Sequence, residues 1–147
     1  MNIDKIELQK ILVPFDGSEQ SRKALAHALI VARHSHTGLT LMHVIDLNKK
    51  INAFEQVWLS GYVPEELKKS GYELLTKLAR EIPPEIEVDL QVEIGSPPES
   101  IITAAQDGRY DLIVMGSRGM GQIKSLLIGS VSQYVLLHAP CPVLIVR

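Results

Sequence analysis

Several features that mark particular classes of protein are scarce or missing in this chain of 147 residues. There is one cysteine, Cys141, which excludes an internal disulfide framework and fits a reducing cytoplasm. Lysine and arginine together number 15 and aspartate and glutamate 17, so the formal net charge is only −2. That balance gives no electrostatic reason to expect nucleic acid or an anionic membrane as a partner.

Long hydrophobic runs are missing too. The most apolar tract, YVLLHAPCPVLIV at residues 134–146, is interrupted by His138 and by two prolines, so no membrane span is expected. The first ten residues, MNIDKIELQK, are of mixed charge, and we expect no signal peptide. His34 and His36 lack a third ligand nearby, and a solvated helix end explains them better than a metal site.

What the chain does contain is a regular alternation of short β-branched runs with longer segments of helical periodicity. Five strands are predicted, at residues 10–15, 39–45, 85–95, 111–116 and 142–146. Four helices are predicted between them, from Ser18 as N-cap to Gly38, from Pro64 to Arg80, from Pro97 to Gln106, and from Ser130 to Ala139. Residues 47–63 have no clear period and are interpreted as a loop with some helix.

This order of elements, βαβαβαβαβ, predicts an α/β fold with a mostly parallel sheet. No linker or internal repeat divides the chain, so residues 1–147 are interpreted as a single domain. We expect an open, Rossmann-like sheet of five strands in the order 3-2-1-4-5, with helices on both faces. In such sheets ligands bind beyond the carboxyl ends of the strands, where the strand order reverses. Here that point lies between the first and fourth strands, where PFDGS (residues 14–18) and MGSRGMG (residues 115–121) converge.

The second of these loops begins a stretch, GSRGMGQIKSLLIGS at residues 116–130, that is rich in glycine and serine. Gly116 and Gly121 have the spacing of a P-loop, but Gln122 stands where the lysine should be. The glycine order also differs from the dinucleotide fingerprint G-x-G-x-x-G. Lys124 and Ser125 imitate the end of a P-loop, but they lie between the glycines rather than at a helix N-terminus.

A phosphate cradle of another kind is favoured by the two ends of the stretch. Ser130 and Gln133 have the spacing of a capping box, which puts Gly129 just before a helix N-terminus, where backbone N–H groups favour an anion. Gly116 and Gly119 let backbone approach a ligand without Cβ atoms in the way. The alternative interpretation is that these glycines merely allow the chain to turn.

Two further residues near the predicted crevice have alternative roles. Asp16 follows the first strand directly, and it either forms an Asx turn before Ser18 or faces ribose hydroxyls or a phosphate-bound Mg²⁺. The residues alone do not decide between these roles. His43, in the second strand, is interpreted as a packing histidine rather than a catalyst.

Taken together, these residues resemble the universal stress protein family over essentially the whole chain. The family's ATP-binding signature, G-2x-G-9x-G-[ST], is matched by Gly116, Gly119, Gly129 and Ser130. The segments ILVPFDGSEQS, MHV, VEIGSPPESI, YDLIVMGSRG and GSVSQYVLLHAPCPVLIV are also typical of the family. The fold implied is that of the adenine nucleotide alpha hydrolase-like group.

The resemblance implies that the chain is a cytoplasmic, nucleotide-dependent regulatory protein of the stress response. It would bind ATP, with Mg²⁺ or Mn²⁺ reaching the protein through Asp16 and with no metal held by protein ligands alone. No residue is assigned to catalysis. The implied binding residues are Pro14, Asp16, Val44, Met115, Gly116, Ser117, Arg118, Gly119, Met120, Gly121, Gln122, Gly129, Ser130, Val131 and Ser132.

The same topology also occurs in proteins with other functions. Slow ATP hydrolysis in the same site is the alternative to a purely regulatory role, but efficient turnover is not expected because no P-loop lysine or paired acids follow a strand. A phospho-accepting receiver domain would need paired acids after the first strand, whereas Gly17 follows Asp16. Sulfur- and nucleotidyl-transferring relatives would carry S-G-G-x-D-S or H-x-G-H near that strand, and neither occurs.

A partner is also indicated at the other end of the chain. Family members commonly pair through the last strand, and the segment PVLIV, Pro142–Val146, is an apolar strand that is expected at the edge of the sheet. An unprotected apolar edge tends to find a partner. A homodimer through Pro142–Val146 is therefore expected.

Overall fold

The computed structural model describes residues 6–46, 64–119 and 128–147. The strands are β1 (Ile11–Pro14), β2 (Leu39–Asp46), β3 (Val88–Gly95), β4 (Leu112–Gly116) and β5 (Val143–Val146). The helices are α1 (Glu19–Ser35), α2 (Pro64–Ala79), α3 (Pro97–Gly108) and α4 (Ser130–His138). All the pairings between these strands are parallel, and the order β3-β2-β1-β4-β5 confirms the predicted sheet.

The helices cover both faces of this sheet. On one face, α1 and α2 contribute Ala24, Ala28 and Leu75 to a core that also contains Val13 and Leu41 from the strands. On the other, α3 and α4 pack over the strand residues whose side chains point the opposite way, among them Leu12, Met42 and Ile113. Since β1 lies in the middle of the sheet, Ile11, Leu12 and Val13 are fully buried on both sides, as their continuous apolar run predicts.

The predicted elements were right in type, while several of their ends were wrong. Helix α1 ends at a left-handed His36 (φ 52°), not at Gly38. Gly38 is needed for a different reason, because a Cβ there would lie 2.8 Å from the carbonyl oxygen of Glu87. Helix α3 continues past Gln106 to a left-handed cap at Arg109. The irregular segment at residues 47–63, with Trp58 and Tyr62, lies outside the described residues.

The start of α4 also differs from the predicted capping box. Gly129, not Ser130, is the N-cap residue, and Ser130 is the first residue of the helix. No side chain caps this end, and Gln133 instead donates its backbone N–H to the carbonyl oxygen of Gly129 at 3.0 Å. The Ser-x-x-Gln spacing was therefore coincidental, because a capping box needs its serine one position outside the helix.

Candidate functional site

A cavity of about 510 Å³ opens at the carboxyl ends of the strands, beside the point where the strand order reverses between β1 and β4. The topology of the sheet predicted a ligand at this point. The wall is built from the loop after β1, the end of β2, the connection from β3 to α3, the end of β4 and the start of α4.

Most of the residues implied by the sequence come together around this cavity. Those that line it are Pro14, Asp16, Val44, Met115, Gly116, Arg118, Gly119, Gly129, Ser130, Val131 and Ser132. Ser117 does not line the cavity and is only 1% exposed. Met120, Gly121 and Gln122 lie outside the described residues.

A second group of lining residues was not among the implied binding residues, although residues 14–18 and His43 were expected near the crevice. The group is Phe15, Ser18, Ser21, Met42, His43, Ile45, Asp46, Ser96, Pro97, Pro98 and Ile101. Several of them lie at the ends of β2 and β3. Because the carboxyl ends of parallel strands meet at one edge of the sheet, the order of strands alone could have indicated Asp46 and Ser96. The pattern gave no sign of how far β2 extends past its neighbour.

The overhang of β2 exposes a piece of backbone to the cavity. β1 pairs with β2 only as far as Pro14 opposite Met42, whereas β2 continues to Asp46 in register with β3. Phe15 donates its N–H to the carbonyl oxygen of Met42 at 2.7 Å, so that edge of Met42 faces β1. Because a strand has a period of two residues, the N–H and C=O of Val44 point to the same side of β2 as the C=O of Met42. β1 has already left the sheet at that level.

His43 helps to keep this backbone edge of Val44 available. The carbonyl oxygen of Phe15 is the acceptor that a longer β1 would present to the N–H of Val44. In the structure that oxygen lies 2.9 Å from Nδ1 of His43. Since a carbonyl can only accept, Nδ1 carries the hydrogen. The predicted packing role of His43 thus includes a hydrogen bond that shapes the loop after β1.

Much of this part of the cavity is apolar. Its apolar side chains come from Met42, Val44, Pro97, Pro98 and Ile101, and the polar residues Asp46 and Ser96 also line the cavity. Helix α3 starts at Pro97 and Pro98, which have no N–H to donate, and its N-cap residue Ser96 makes no side-chain cap. This helix start therefore offers an apolar wall rather than a site for an anion.

The opposite part of the cavity is formed by the start of α4, which is electrostatically different. The N–H groups of Ser130, Val131 and Ser132 have no acceptor one turn earlier in the helix, and no acidic residue stands in the first turn. Helix α1, which also starts at the cavity, has both compensations, the side chain of Ser18 as cap and Glu19 in its first turn. The uncapped positive end of α4 is the better place for an anion.

Of the two roles that the sequence left open for Asp16, the structure contains the Asx turn, and it also places the residue at the cavity. Its Oδ1 accepts the backbone N–H of Ser18 at 2.9 Å, which is the Asx turn, and the residue also lines the cavity. Gly17, between the two, has φ 86°, a conformation that favours glycine. The turn fixes the carboxylate of Asp16 in the loop after β1.

The two glycines at the end of β4 differ in what surrounds them. A Cβ on Gly116 would lie 2.7 Å from Cβ of Gln20 and 2.8 Å from its carbonyl carbon, so this glycine is required for the packing of β4 against α1. A Cβ on Gly119 would instead overlap Oδ2 of Asp16. Gly119 therefore brings the loop after β4 against the loop after β1, at the mouth of the cavity.

Among the described residues, the charged side chains that line the cavity are Asp16, Asp46 and Arg118, and each has an interaction partner. Within residues 6–46, 64–119 and 128–147, no three histidine, cysteine, aspartate or glutamate side chains cluster as metal ligands would. Nor is any helix in these ranges long and apolar enough to cross a membrane. The cavity thus combines an apolar end with an anion-accepting end. Asp16 lies against Gly119, in the loop after β4.

Comparisons with known proteins agree on one family. The sequence profile described as the universal stress protein family matches residues 7–147. A universal stress protein of Thermus aquaticus is 38% identical, over 93% of this chain and 97% of its own length. Universal stress protein MJ0531 of Methanocaldococcus jannaschii is 33% identical, over 95% of this chain and 82% of its own.

Solved structures show the same fold. Protein MJ0577, whose structure was used to assign a biochemical function, superposes with a TM-score of 0.80 and 30% identity, covering 96% of both chains. A universal stress protein in complex with cAMP superposes with a TM-score of 0.69 at 23% identity, over 97% of this chain and 98% of its own. A complex with dAMP from Archaeoglobus fulgidus gives 0.69 at 21%, over 97% of this chain and 100% of its own.

Proposed function

The chain belongs to the universal stress protein family, and from that premise we propose that it is a regulatory protein of the stress response that binds ATP in the cavity at the carboxyl ends of its strands. The observation that carries the proposal is the division of the cavity into an apolar end beside Val44 and an anion-accepting end at the start of α4. An adenine nucleotide has the same two halves in one molecule.

The apolar end suits adenine. The backbone of Val44 presents one N–H donor and one C=O acceptor side by side, and the edge of adenine presents N1 as acceptor and the 6-amino group as donor. Guanine has the opposite pattern on that edge, because its N1 carries a hydrogen and its O6 accepts. A site built on this backbone edge therefore favours ATP over GTP.

The other end suits the phosphates. Three N–H groups at the start of α4 and the positive end of the helix dipole act on an anion without any lysine. This accounts for the absence of a P-loop lysine from a stretch that otherwise resembles a phosphate motif. The exposed hydroxyl-bearing residue Ser130, the first of the helix, is placed to add a further donor.

A divalent cation fits beside Asp16. The carboxylate of Asp16 lies against Gly119, in the loop proposed to wrap the phosphates, and two anionic groups so close would repel each other in the absence of a cation. Mg²⁺ or Mn²⁺ is held typically by one or two carboxylates together with substrate phosphates. When bound, the cation would neutralise phosphate charge, and Asp16 would be its ligand from this chain.

Holding the nucleotide is favoured over consuming it. Phosphoryl transfer to water needs a group that orients the attacking water as well as a placed metal. Among the described residues the carboxylates that line the cavity are Asp16 and Asp46, and Asp16 is already engaged in the Asx turn. We therefore expect turnover below about 1 s⁻¹, the lower end of ordinary enzyme rates.

The proposal is tested by titration calorimetry of the purified chain with ATP, GTP and adenosine, each with and without Mg²⁺. ATP should bind most tightly with Mg²⁺ present, GTP should bind at least about tenfold more weakly, and adenosine should bind in a manner independent of Mg²⁺. Equal affinity for ATP and GTP would refute the proposal that adenine binds to the backbone of Val44. Absence of any nucleotide binding would refute the function as a whole.

We also propose that the protein acts as a homodimer joined through β5. β5 forms one edge of the sheet and carries Leu144, which is 38% exposed, and helix α4 before it carries the exposed Leu136 (48%) and Leu137 (72%). An exposed apolar patch next to an unpaired strand edge is typical of an interface. A second copy of β5 would cover both.

A further inference from the structure

The backbone of Ser117 links the loop after β4 to the start of α4 and to the end of β5. Its carbonyl oxygen accepts the backbone N–H of Gly129 at 2.6 Å and the hydroxyl of Ser132 at 2.6 Å. The N–H of Ser117 in turn donates to the carbonyl oxygen of Val146, at the end of β5, at 2.7 Å. Ser117 thus fastens the start of α4 to the sheet immediately after β4, although its own side chain is away from the cavity.

The hydroxyl of Ser132 is committed to this arrangement. A serine hydroxyl has one hydrogen to donate, and here that hydrogen lies between Oγ and the Ser117 oxygen, with the Gly129 oxygen 3.1 Å away as a second acceptor. Ser132 is only 2% exposed. The hydroxyl then has only lone pairs available, and lone pairs repel a phosphate oxygen rather than bind it.

We propose that Ser132 is a positioning residue, whose hydroxyl sets the distance between the two backbone segments that bind phosphate without contacting the ligand. This inference rests on the proposed function. The segments are Gly116–Gly119 on one side and Gly129–Ser132 on the other, and residues 120–128 lie between them. The bonds to the Ser117 oxygen hold the second segment against the first, so the three N–H groups at the start of α4 that lack an intrahelical acceptor are in place before a nucleotide arrives.

Three serine variants separate positioning from contact. Ser132→Ala removes the hydroxyl that bonds to Ser117, and Ser130→Ala removes the exposed hydroxyl proposed to face the phosphates. Ser70→Ala is the matched control, since its exposed hydroxyl donates only to Leu67 of its own helix. Two quantities are measured for each variant: hydrogen exchange of the Gly129 amide in the nucleotide-free protein, and affinity for ATP and for adenosine by calorimetry.

Ser132→Ala is expected to accelerate exchange of the Gly129 amide severalfold before any ligand is added. It should also weaken the binding of ATP by about fivefold, the equivalent of one hydrogen bond, and leave the binding of adenosine unchanged. Ser130→Ala should weaken the binding of ATP without changing the exchange rate of the Gly129 amide. Ser70→Ala should change neither quantity. Ser132→Cys, whose thiol is a weak donor of similar size, should be intermediate and serves if the alanine variant folds poorly.

The outcomes are distinct. If Ser132→Ala weakens the binding of ATP but leaves exchange of the Gly129 amide in the nucleotide-free protein unaltered, the hydroxyl contacts the ligand and the inference is overturned. Unaltered ATP affinity, or an equal loss for adenosine, overturns it as well. If the unmodified chain binds no nucleotide, the proposed function fails and the effect on phosphate binding fails with it, while the exchange rates still report whether the hydroxyl holds Gly129 to Ser117.

Discussion

The backbone of Gly119 lies so close to Asp16 that a methyl group added at Gly119 would overlap Oδ2 of the carboxylate. The two residues come from the loops after β4 and β1, which are separated by about a hundred positions in the chain and meet at the mouth of the cavity. Oδ1 of the same carboxylate is fixed by the N–H of Ser18. Any side chain at Gly119 must therefore displace Asp16 from its turn.

Gly119→Ala is accordingly expected to impair nucleotide binding more than folding. The atom in the way is the end of a side chain that can rotate, and the expected loss is that of its hydrogen bond to Ser18, so the free energy of unfolding should fall by no more than about 1 kcal/mol. Moving Asp16 removes the proposed cation ligand and narrows the mouth, so ATP affinity in Mg²⁺ should fall at least about tenfold, and further in Gly119→Val. Calorimetry and thermal unfolding of the same samples measure the two effects, and wild-type affinity in the valine variant would contradict the phosphate site.

A charge at Leu144 is expected to separate the proposed dimer. Leu144 lies on the edge strand and is 38% exposed, so Leu144→Lys should leave the fold intact while placing an unpaired charge in the interface. Sedimentation velocity should then report monomers. Ile30→Lys, on the exposed side of α1, is the control and should sediment as the unmodified protein does. A dimer that persists in Leu144→Lys would point to another interface.

Val146 is not a suitable site for the same experiment. It is also in β5, but only 6% exposed and packed in the core beneath α1. A charge there would be buried without a partner and would destabilise the fold before it reported on association.

Gly71 is expected to stabilise the fold although it lies in the middle of α2. A Cβ there would lie 2.8 Å from Cγ1 and 3.2 Å from Cγ2 of Val92, which is buried and β-branched and cannot move aside. Overpacking of this kind costs about 1–3 kcal/mol, and alanine returns about 1 kcal/mol of helix propensity. Gly71→Ala should therefore lower the free energy of unfolding by roughly 1 kcal/mol in urea titration.

The same substitution in a Val92→Ala background provides the control. There the methyl groups that cause the overlap are gone, and Gly71→Ala should become stabilising relative to Val92→Ala alone. An equal loss of stability in both backgrounds would show that close packing against β3 is not the reason for the glycine.

The thiol of Cys141 is expected to ionise at higher pH in the folded chain than in the unfolded one. Burial raises its pKa, and the carboxylate of Asp111 raises it further. Because the folded state keeps the proton to a higher pH, the free energy of unfolding should fall as the pH rises through the pKa of cysteine in the unfolded chain, up to the higher pKa of the folded one. Alkylation by iodoacetamide, followed by mass spectrometry across pH, should show a midpoint in the native protein above that in urea. A native midpoint at or below the value in urea would contradict the effect of burial.

Much of the site could be predicted from sequence because its chemistry is local. The residue types at Gly129, Ser130 and Asp16 are those that a phosphate-accepting helix start and an Asx turn require, and the order of strands then places them at one edge. Boundaries were less predictable. The Ser-x-x-Gln pattern indicated a capping box at Ser130, whereas the helix begins one residue earlier with Gly129 as its cap. A single position there decides which N–H groups are free.

The sequence by itself determined the family, the parallel five-stranded sheet and the two loops that meet at its switch point, because periodicity and a spaced motif are properties of neighbouring residues. Only the tertiary structure decided which atoms those residues present. The overhang of β2 that frees the backbone of Val44 depends on where β1 leaves the sheet. The hydroxyl of Ser132 is committed to Ser117, fifteen residues away, through the packing of α4 on β4. Such pairings depend on the register and closeness of distant segments, and a linear pattern does not encode those distances.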